Sequence, residues 1–540
     1  MEDLKRGDWI DLGALAELPE GRATLRKVDA QRFVCVRHGD QVHALDDRCP
    51  HQGYPLSQGR VDGCTLVCQW HNWIFDLRTG ECTFGGEPVR RYPTLVQGGR
   101  VLLDRAVDPA SEAARLEVGL RAAFVDDDPA RALREGLRLG ALRPGRGAFT
   151  TLAAAFEVLA ADGAERAEYG FDHGLAALAD LLAWVERGWL PAEEAFVVAV
   201  TAVCEPSRHL GRREADPPLA VATDDRAARL AFLTGGLHDY GHGAIFAAKA
   251  DELARRFPAA APALARALAA NLGWATDELV LPPFTATRRA LEGVDALAHA
   301  SVELRPLDAL EAAAHVDALL AGEREALDAT LAALARGVPA RALLLLTARA
   351  AAHRVIRFDP AWEARVDAEV SVLDITHTVT FAEAALILVD GAPEPAARRL
   401  AVIAAGFVGK LRRGDVAAPR APSPRTGDLV DLVAAVHARD VDRARDVASS
   451  LDPEARRAAV PALAPFLAFE MAVRPIFVAH GVKMGEALHR LGLADPEAAP
   501  LYLDALLAFA APRRAERRPR RVAHVARQFL ADGRPPVGLY

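Results

Sequence analysis

No uninterrupted apolar stretch in the 540 residues reaches transmembrane length, and the opening Met1-Glu2-Asp3-Leu4-Lys5-Arg6 lacks the apolar core of a secretion signal. The expectation is a soluble, cytoplasmic chain with no membrane partner. Cysteine is scarce, at six. Cys35, Cys64, Cys82 and Cys204 show no framework spacing, which excludes a disulfide scaffold and leaves them as reduced core or surface thiols. Positive charge is not in excess: a net charge of −8 gives no general field for nucleic acid. No GxGxxG follows a strand and no Walker loop occurs, so any nicotinamide-derived electrons must come from a separate protein. With 51% apolar residues the composition is that of an ordinary folded protein, too long for a single core.

Two patterns divide what is present. Up to about Leu103 the apolar period is two, as in Phe33-Val34-Cys35-Val36, Val42-His43-Ala44-Leu45 and Val101-Leu102-Leu103, with Gly-Asp and Gly-Gly turns between. From about Ser111 the chain is rich in Ala, Leu, Glu and Arg, with helical spacing such as Leu175, Leu178, Leu181 and Leu182. The fold class is multidomain: an N-terminal all-β domain over 1–107, then a large all-α domain over 112–540. Val107-Asp108-Pro109-Ala110-Ser111 reads as the hinge and 414–427 as an internal loop.

Chemistry enters with Cys49-Pro50-His51 and Cys68-Gln69-Trp70-His71, two short loops that each offer one thiol and one imidazole. Together with Gln52-Gly53-Tyr54-Pro55-Leu56-Ser57-Gln58-Gly59 after the first and Trp73-Ile74-Phe75-Asp76-Leu77-Arg78-Thr79-Gly80 after the second, they resemble the Rieske [2Fe-2S] ferredoxin family from Gly7 to Asp104. The resemblance implies that Cys49 and Cys68 hold one iron and His51 and His71 the other. Two Cys and two His also satisfy tetrahedral zinc, and that reading stays open. High-potential relatives carry an extra Cys in each loop, where Tyr54 and Trp70 stand, and hydroxyls where Trp73 and Phe75 stand. Fewer donors to the cluster predict a low potential, on the order of −150 mV. Such a cluster suits an electron donor to an oxygenase.

In the helical part, His173-Gly174, His242-Gly243, His377-Thr378 and His480-Gly481 each place a His before a small residue and an Ala-rich run. Each His is expected in the first turn of a helix. Pairing His173 with His377 and His242 with His480 suggests a diverged duplication, with halves 112–360 and 361–540. Packing about a pseudo-twofold axis would bring the four imidazoles together as ligands for an additional iron or another transition metal. Glu383 and Glu486, six residues after a patterned His, are second-layer candidates. His209, His299, His315, His353, His437, His489 and His524 lack the pattern and read as core or surface residues.

Two further resemblances concern the same region. Leu237-His238-Asp239-Tyr240-Gly241-His242-Gly243 is similar to the metal-binding core of HD-domain proteins, which implies His238 and Asp239 as ligands, with His209 and Asp295 available to complete a set. Asp374-Ile375-Thr376-His377-Thr378-Val379-Thr380-Phe381 and Ala479-His480-Gly481-Val482-Lys483-Met484-Gly485-Glu486-Ala487 resemble the His-led helices of questin oxidase-like proteins, helical oxygenases of Baeyer-Villiger type. The Asp/Asn-x-x-His-x4-His motif of the usual Rieske oxygenase is missing.

The expected protein is an oxidoreductase, monooxygenase-like, whose cluster feeds electrons from a separate NAD(P)H-dependent reductase to a helical domain that oxygenates a small organic molecule. The alternative is a non-enzymatic carrier or redox sensor with a partner-binding helical domain. A metal-dependent hydrolase of HD type is third. The basic run Arg513–Arg521 is a candidate dock for an acidic reductase or an anionic substrate.

Overall fold

The computed structural model describes residues 8–106, 108–145, 147–207, 217, 220–221, 225–297, 305–367, 370–416, 419–472, 474–513 and 517–532. His209, His299, Arg514, Glu516 and the Cys204 side chain lie outside them. Contacts divide the chain into two compact units: residues to Ala123 with Ala130–Arg143, and Phe124–Pro129 with the chain from Pro144.

In the first unit, the strand Gln31–His38 serves two cores because its side chains alternate between faces. Phe33 and Cys35 join Tyr92, Val101 and Leu103, whereas Val34 and Val36 join Leu45, Leu66 and Phe75 beside Cys49 and Cys68. Its sheet is antiparallel, in the order Thr24–Val28, Gln31–His38, Gln41–Asp46 and Arg91–Tyr92. A second sheet of Arg60–Asp62, Thr65–Val67, Ile74–Asp76 and Cys82–Phe84 carries the Cys68 loop between its two middle strands. In the third, Arg100–Asp104 pairs with both Trp9–Ala14 and Thr94–Gln97. The turn Gly98-Gly99 takes positive φ at both residues (59° and 74°), the twist a tight hairpin requires.

Helices Pro109–Asp126 and Pro129–Leu142 follow. From the second, Arg134 and Arg138 both reach the buried carboxylate of Glu87, Arg134 at 2.8 Å. This pairing accounts for the first unit's extending to Arg143, beyond the hinge expected near Val107.

Beyond Asp104 the described residues contain no strand, only two isolated bridges. Residues between Lys410 and Leu429 form the expected loop, apart from the undescribed 417 and 418. Four helices form a ring at the centre of the second unit: His173–Glu186, His242–Arg256, Val372–Leu388 and Pro475–Ala494, each packed on the next and the last on the first. His173–Glu186 and Val372–Leu388 are buried along almost their whole length, which suits helices apolar on nearly every side. The patterned His stands at or near the N-terminal end in all four, and charged residues six or seven positions later meet one another. All four helices therefore run parallel, with their positive dipole ends on the side of the imidazoles.

Candidate metal centres

The two ligand loops of the β unit are built alike. Cys49 N–H donates to the Tyr54 carbonyl (2.8 Å) and Gly53 N–H to the Cys49 carbonyl (2.7 Å); Cys68 N–H donates to Trp73 (2.8 Å) and Asn72 N–H to Cys68 (3.0 Å). Four residues after each Cys the backbone is left-handed, at Gly53 (φ 77°) and Asn72 (φ 58°), conformations that Gly and Asn adopt most readily. Both sulfurs are buried, while His71 is exposed and His51 partly so. The two Nδ1 atoms face each other at 3.1 Å. Trp73 stacks on His51 at 4.7 Å and Trp70 on His71 at 5.1 Å. Trp70 is 54% exposed, and the partly buried Trp73 covers His51.

Burial pushes the Cys49 thiol up to about 12, against the N–H groups of His51 and Gln52 and with the Cys68 sulfur alongside. Two thiolates in this core need metal charge to exist. A thiol pair below and an imidazole pair at the rim suit two irons, whereas three ligand atoms gathered as for one ion are found instead in the helical unit.

There, His173, His377 and His480 bring ligand atoms within 4.8 Å of one another. His242 completes the group, its Nε2 standing 3.0 Å from that of His173. Around the ring, His173–His242, His242–His377, His377–His480 and His480–His173 centroids are 4.6, 4.5, 5.0 and 5.1 Å apart. Two of the small residues after these His are glycines with no room for a Cβ. One on Gly174 would strike the Ala202 carbonyl, and one on Gly243 would lie 2.9 Å from the Cβ of His238. The pattern visible in the sequence is thus a record of close packing.

Helix register corrects one expectation. His173 and His242 are the first residues of their helices, but His377 and His480 are the sixth of theirs, so register pairs 173 with 242 and 377 with 480.

Burial drives His173 and His377 well below the ordinary imidazole value, and the neighbouring cationic groups add to it. Neutral imidazoles are what a metal needs. Neither ring nitrogen of His377 has a well-formed hydrogen bond. Lys483, one turn after His480, is 1% exposed, its Nζ has no hydrogen-bond partner, and burial brings it down to about 7. Near neutral pH its amine can hold a proton or offer a lone pair. Tyr240, edge-on to His377 at 5.8 Å, belongs to a strained turn in which Asp239, Tyr240 and Gly241 all have positive φ.

About 10 Å further along the helices lies a layer of buried charge. Lys249 Nζ donates to Asp180 (2.8 Å) and Glu383 (3.0 Å); Arg490 binds Glu252, Glu383 and Glu486; Arg187 and the Trp184 indole N–H also bind Glu486. Glu383 and Glu486, expected as second-layer partners of the imidazoles, belong to this separate layer and bind Lys249, Arg490, Arg187 and Trp184. Asp180, Lys249 and Lys483 were missed, although each falls three or seven residues after a patterned His and so on the same face of its helix.

Among the described residues the HD constellation is not assembled. His238 Nε2 engages the Phe232 carbonyl at 2.9 Å with its ring stacked on Phe232, and Asp295 makes two 2.7 Å contacts to Arg399. Asp239 meets His242 Nδ1 twice, with its carbonyl at 2.5 Å and with its carboxylate at 3.5 Å. In the basic run, Arg517 donates to the carbonyls of Trp362, Arg365 and Val370, which ties that residue to the fold.

Residues 8–93 match the model of the Rieske [2Fe-2S] domain. Over 104 residues, 19% of this chain and 95% of the relative, the chain is 36% identical to the anthranilate 1,2-dioxygenase ferredoxin subunit of Burkholderia cepacia. It is 56% identical over 101 residues, 16% of this chain and 27% of the relative, to the 4beta-methylsterol monooxygenase of Methylococcus capsulatus. Among solved structures it is similar to the ferredoxin of carbazole 1,9a-dioxygenase from Nocardioides aromaticivorans, with 31% identity, 18% of this chain and 95% of that one covered, and a TM-score of 0.17.

Proposed function

Through residues 8–93 the chain belongs to the Rieske [2Fe-2S] family, and we propose that it is an oxygenase whose cluster supplies electrons to a second metal centre in its own helical unit. The observation that carries this reading is the meeting of four imidazoles from four separate helices. An all-nitrogen donor set in an apolar core fits iron, zinc, copper or nickel and is poor for magnesium or calcium. When bound, the [2Fe-2S] group supplies one electron at a time, and a transition metal at the imidazoles supplies a place for O₂ chemistry.

This chain's own residues set the conditions. Parallel helix N-termini and burial keep His173 and His377 neutral, and Lys483 stands as a proton-exchanging amine beside them. Insertion of one oxygen atom into a small organic substrate consumes two electrons and two protons and releases the other atom as water. The electrons trace back to a separate NAD(P)H-dependent reductase, because the sequence carries no dinucleotide motif. Two similar proteins are by name parts of oxygenases, which supports the assignment.

Metal analysis and electron paramagnetic resonance test it together. The reduced protein is expected to give a rhombic Rieske signal and to contain a transition metal beyond the two irons of the cluster. His242→Ala with His480→Ala should remove the extra metal and leave that signal intact. A helical unit with no metal would make the chain an electron carrier and sink the oxygenase assignment.

A further inference from the structure

Thr376 Oγ1 lies 2.6 Å from the Leu373 carbonyl and 2.9 Å from His480 Nδ1. A carbonyl has no proton to give, so the one hydroxyl proton of Thr376 occupies the shorter contact. The hydroxyl oxygen is left only as an acceptor, and His480 Nδ1 must be the donor. The same count applies to His242: its Nδ1 stands 2.5 Å from the Asp239 carbonyl and must carry a proton. We infer that Thr376 and the Asp239 main chain are positioning groups that hold His480 and His242 as Nδ1–H tautomers, with the Nε2 lone pairs turned into the centre.

Three observations make this a built arrangement. Thr376 is fully buried, so water cannot replace it as acceptor. It sits on the helix turn that presents His377, so one turn supplies both an imidazole and the support for its neighbour. The Asp239 carbonyl is aimed by left-handed backbone at Asp239 (φ 48°) and Tyr240 (φ 57°), which gives the strain of that turn a purpose. A consequence follows for His173. Where His242 carries a single proton, on Nδ1, the 3.0 Å contact between the Nε2 atoms takes its proton from His173.

The consequence for metal affinity rests on the function proposed above; the tautomers do not. The full chain, metal-free at pH 8 and labelled with ¹⁵N-histidine, is examined by long-range ¹H–¹⁵N NMR, with His480 and His242 assigned from His480→Gln and His242→Gln. Protonated Nδ1 and unprotonated Nε2 in both rings is the expected result, and an unprotonated Nδ1 in either overturns the inference. Thr376→Val keeps the shape and removes the acceptor. It should let the His480 tautomers mix and weaken Co²⁺ binding about 10- to 100-fold, with Thr376→Ser restoring both. An unchanged His480 spectrum in Thr376→Val also overturns it. The expected tautomers in a protein that binds no Co²⁺ in any form would support this inference and end the metal reading.

Discussion

The two centres use nearly the same ligand chemistry and are assembled in opposite ways. In the β unit, Cys49, His51, Cys68 and His71 come from two loops within 23 residues, each closed by its own pair of backbone hydrogen bonds, with imidazoles at the rim. In the helical unit, His173, His242, His377 and His480 span 308 residues, and nothing local holds them together. Helix packing brings them in, hydrogen bonds to Thr376 and Asp239 orient two of them, and a charged layer lies further along the same helices. A loop-built centre can remain near the surface and trade electrons with a partner. A packing-built centre is buried, and its charge must be balanced internally.

The buried charge layer offers the largest test of that contrast. Lys249→Met would leave the buried Asp180 without its cation and Glu383 with Arg490 alone, and denaturant unfolding should show a loss of about 3–5 kcal/mol. In the β unit, Arg138→Gln leaves Glu87 with Arg134 and removes a half-exposed partner, so the loss there should stay below about 1 kcal/mol. Equal losses would break the comparison.

Lys483 gives a pH signature that the loop-built centre lacks. Its folded value of about 7 lies below the ordinary 10.5, so between the two the unfolded chain binds one more proton and stability rises with pH. For metal-free protein the gain should approach about 1.4 kcal/mol per pH unit from pH 7 to 8.5. Above that range the buried thiols of Cys35 and Cys49, held up at about 12, act in the opposite direction as the unfolded thiols ionise. Lys483→Met should flatten the slope, and an equal slope in wild type and variant would remove Lys483 from the account.

The smallest expected effect sharpens the β centre. Phe75 is buried in the core that holds Cys49 and Cys68, at a position where a hydroxyl would reach the cluster in high-potential relatives. Phe75→Tyr should raise the reduction potential by roughly 40 mV, from about 1 kcal/mol per hydrogen bond and 59 mV per tenfold. Protein-film voltammetry reads this directly, and a fall in potential would contradict the low-donor explanation.

Legibility followed the same division. The β centre could be read in full, since both ligands of a loop and the Gly53 and Asn72 that shape it lie within five residues. The four patterned His were also visible, because Gly174 and Gly243 mark close packing next to them. Their register was not: the distance of His377 and His480 from their helix starts depends on where Ser371 and Arg474 stop the preceding chain. Lys249 and Lys483 carry no local mark of burial in the sequence, and His238-Asp239 resembled a ligand pair, whereas the Phe232 carbonyl claims His238.

By itself the sequence determined the β fold, the Cys and His of its two loops and the helical nature of the remainder, because these depend on period, turn chemistry and residues close along the chain. Only the tertiary structure decided that four distant imidazoles share one centre, that a lysine amine stands beside them without a partner, and that Thr376 faces His480. Those are contacts between helices, set by packing, and no local pattern encodes which helix lies next to which.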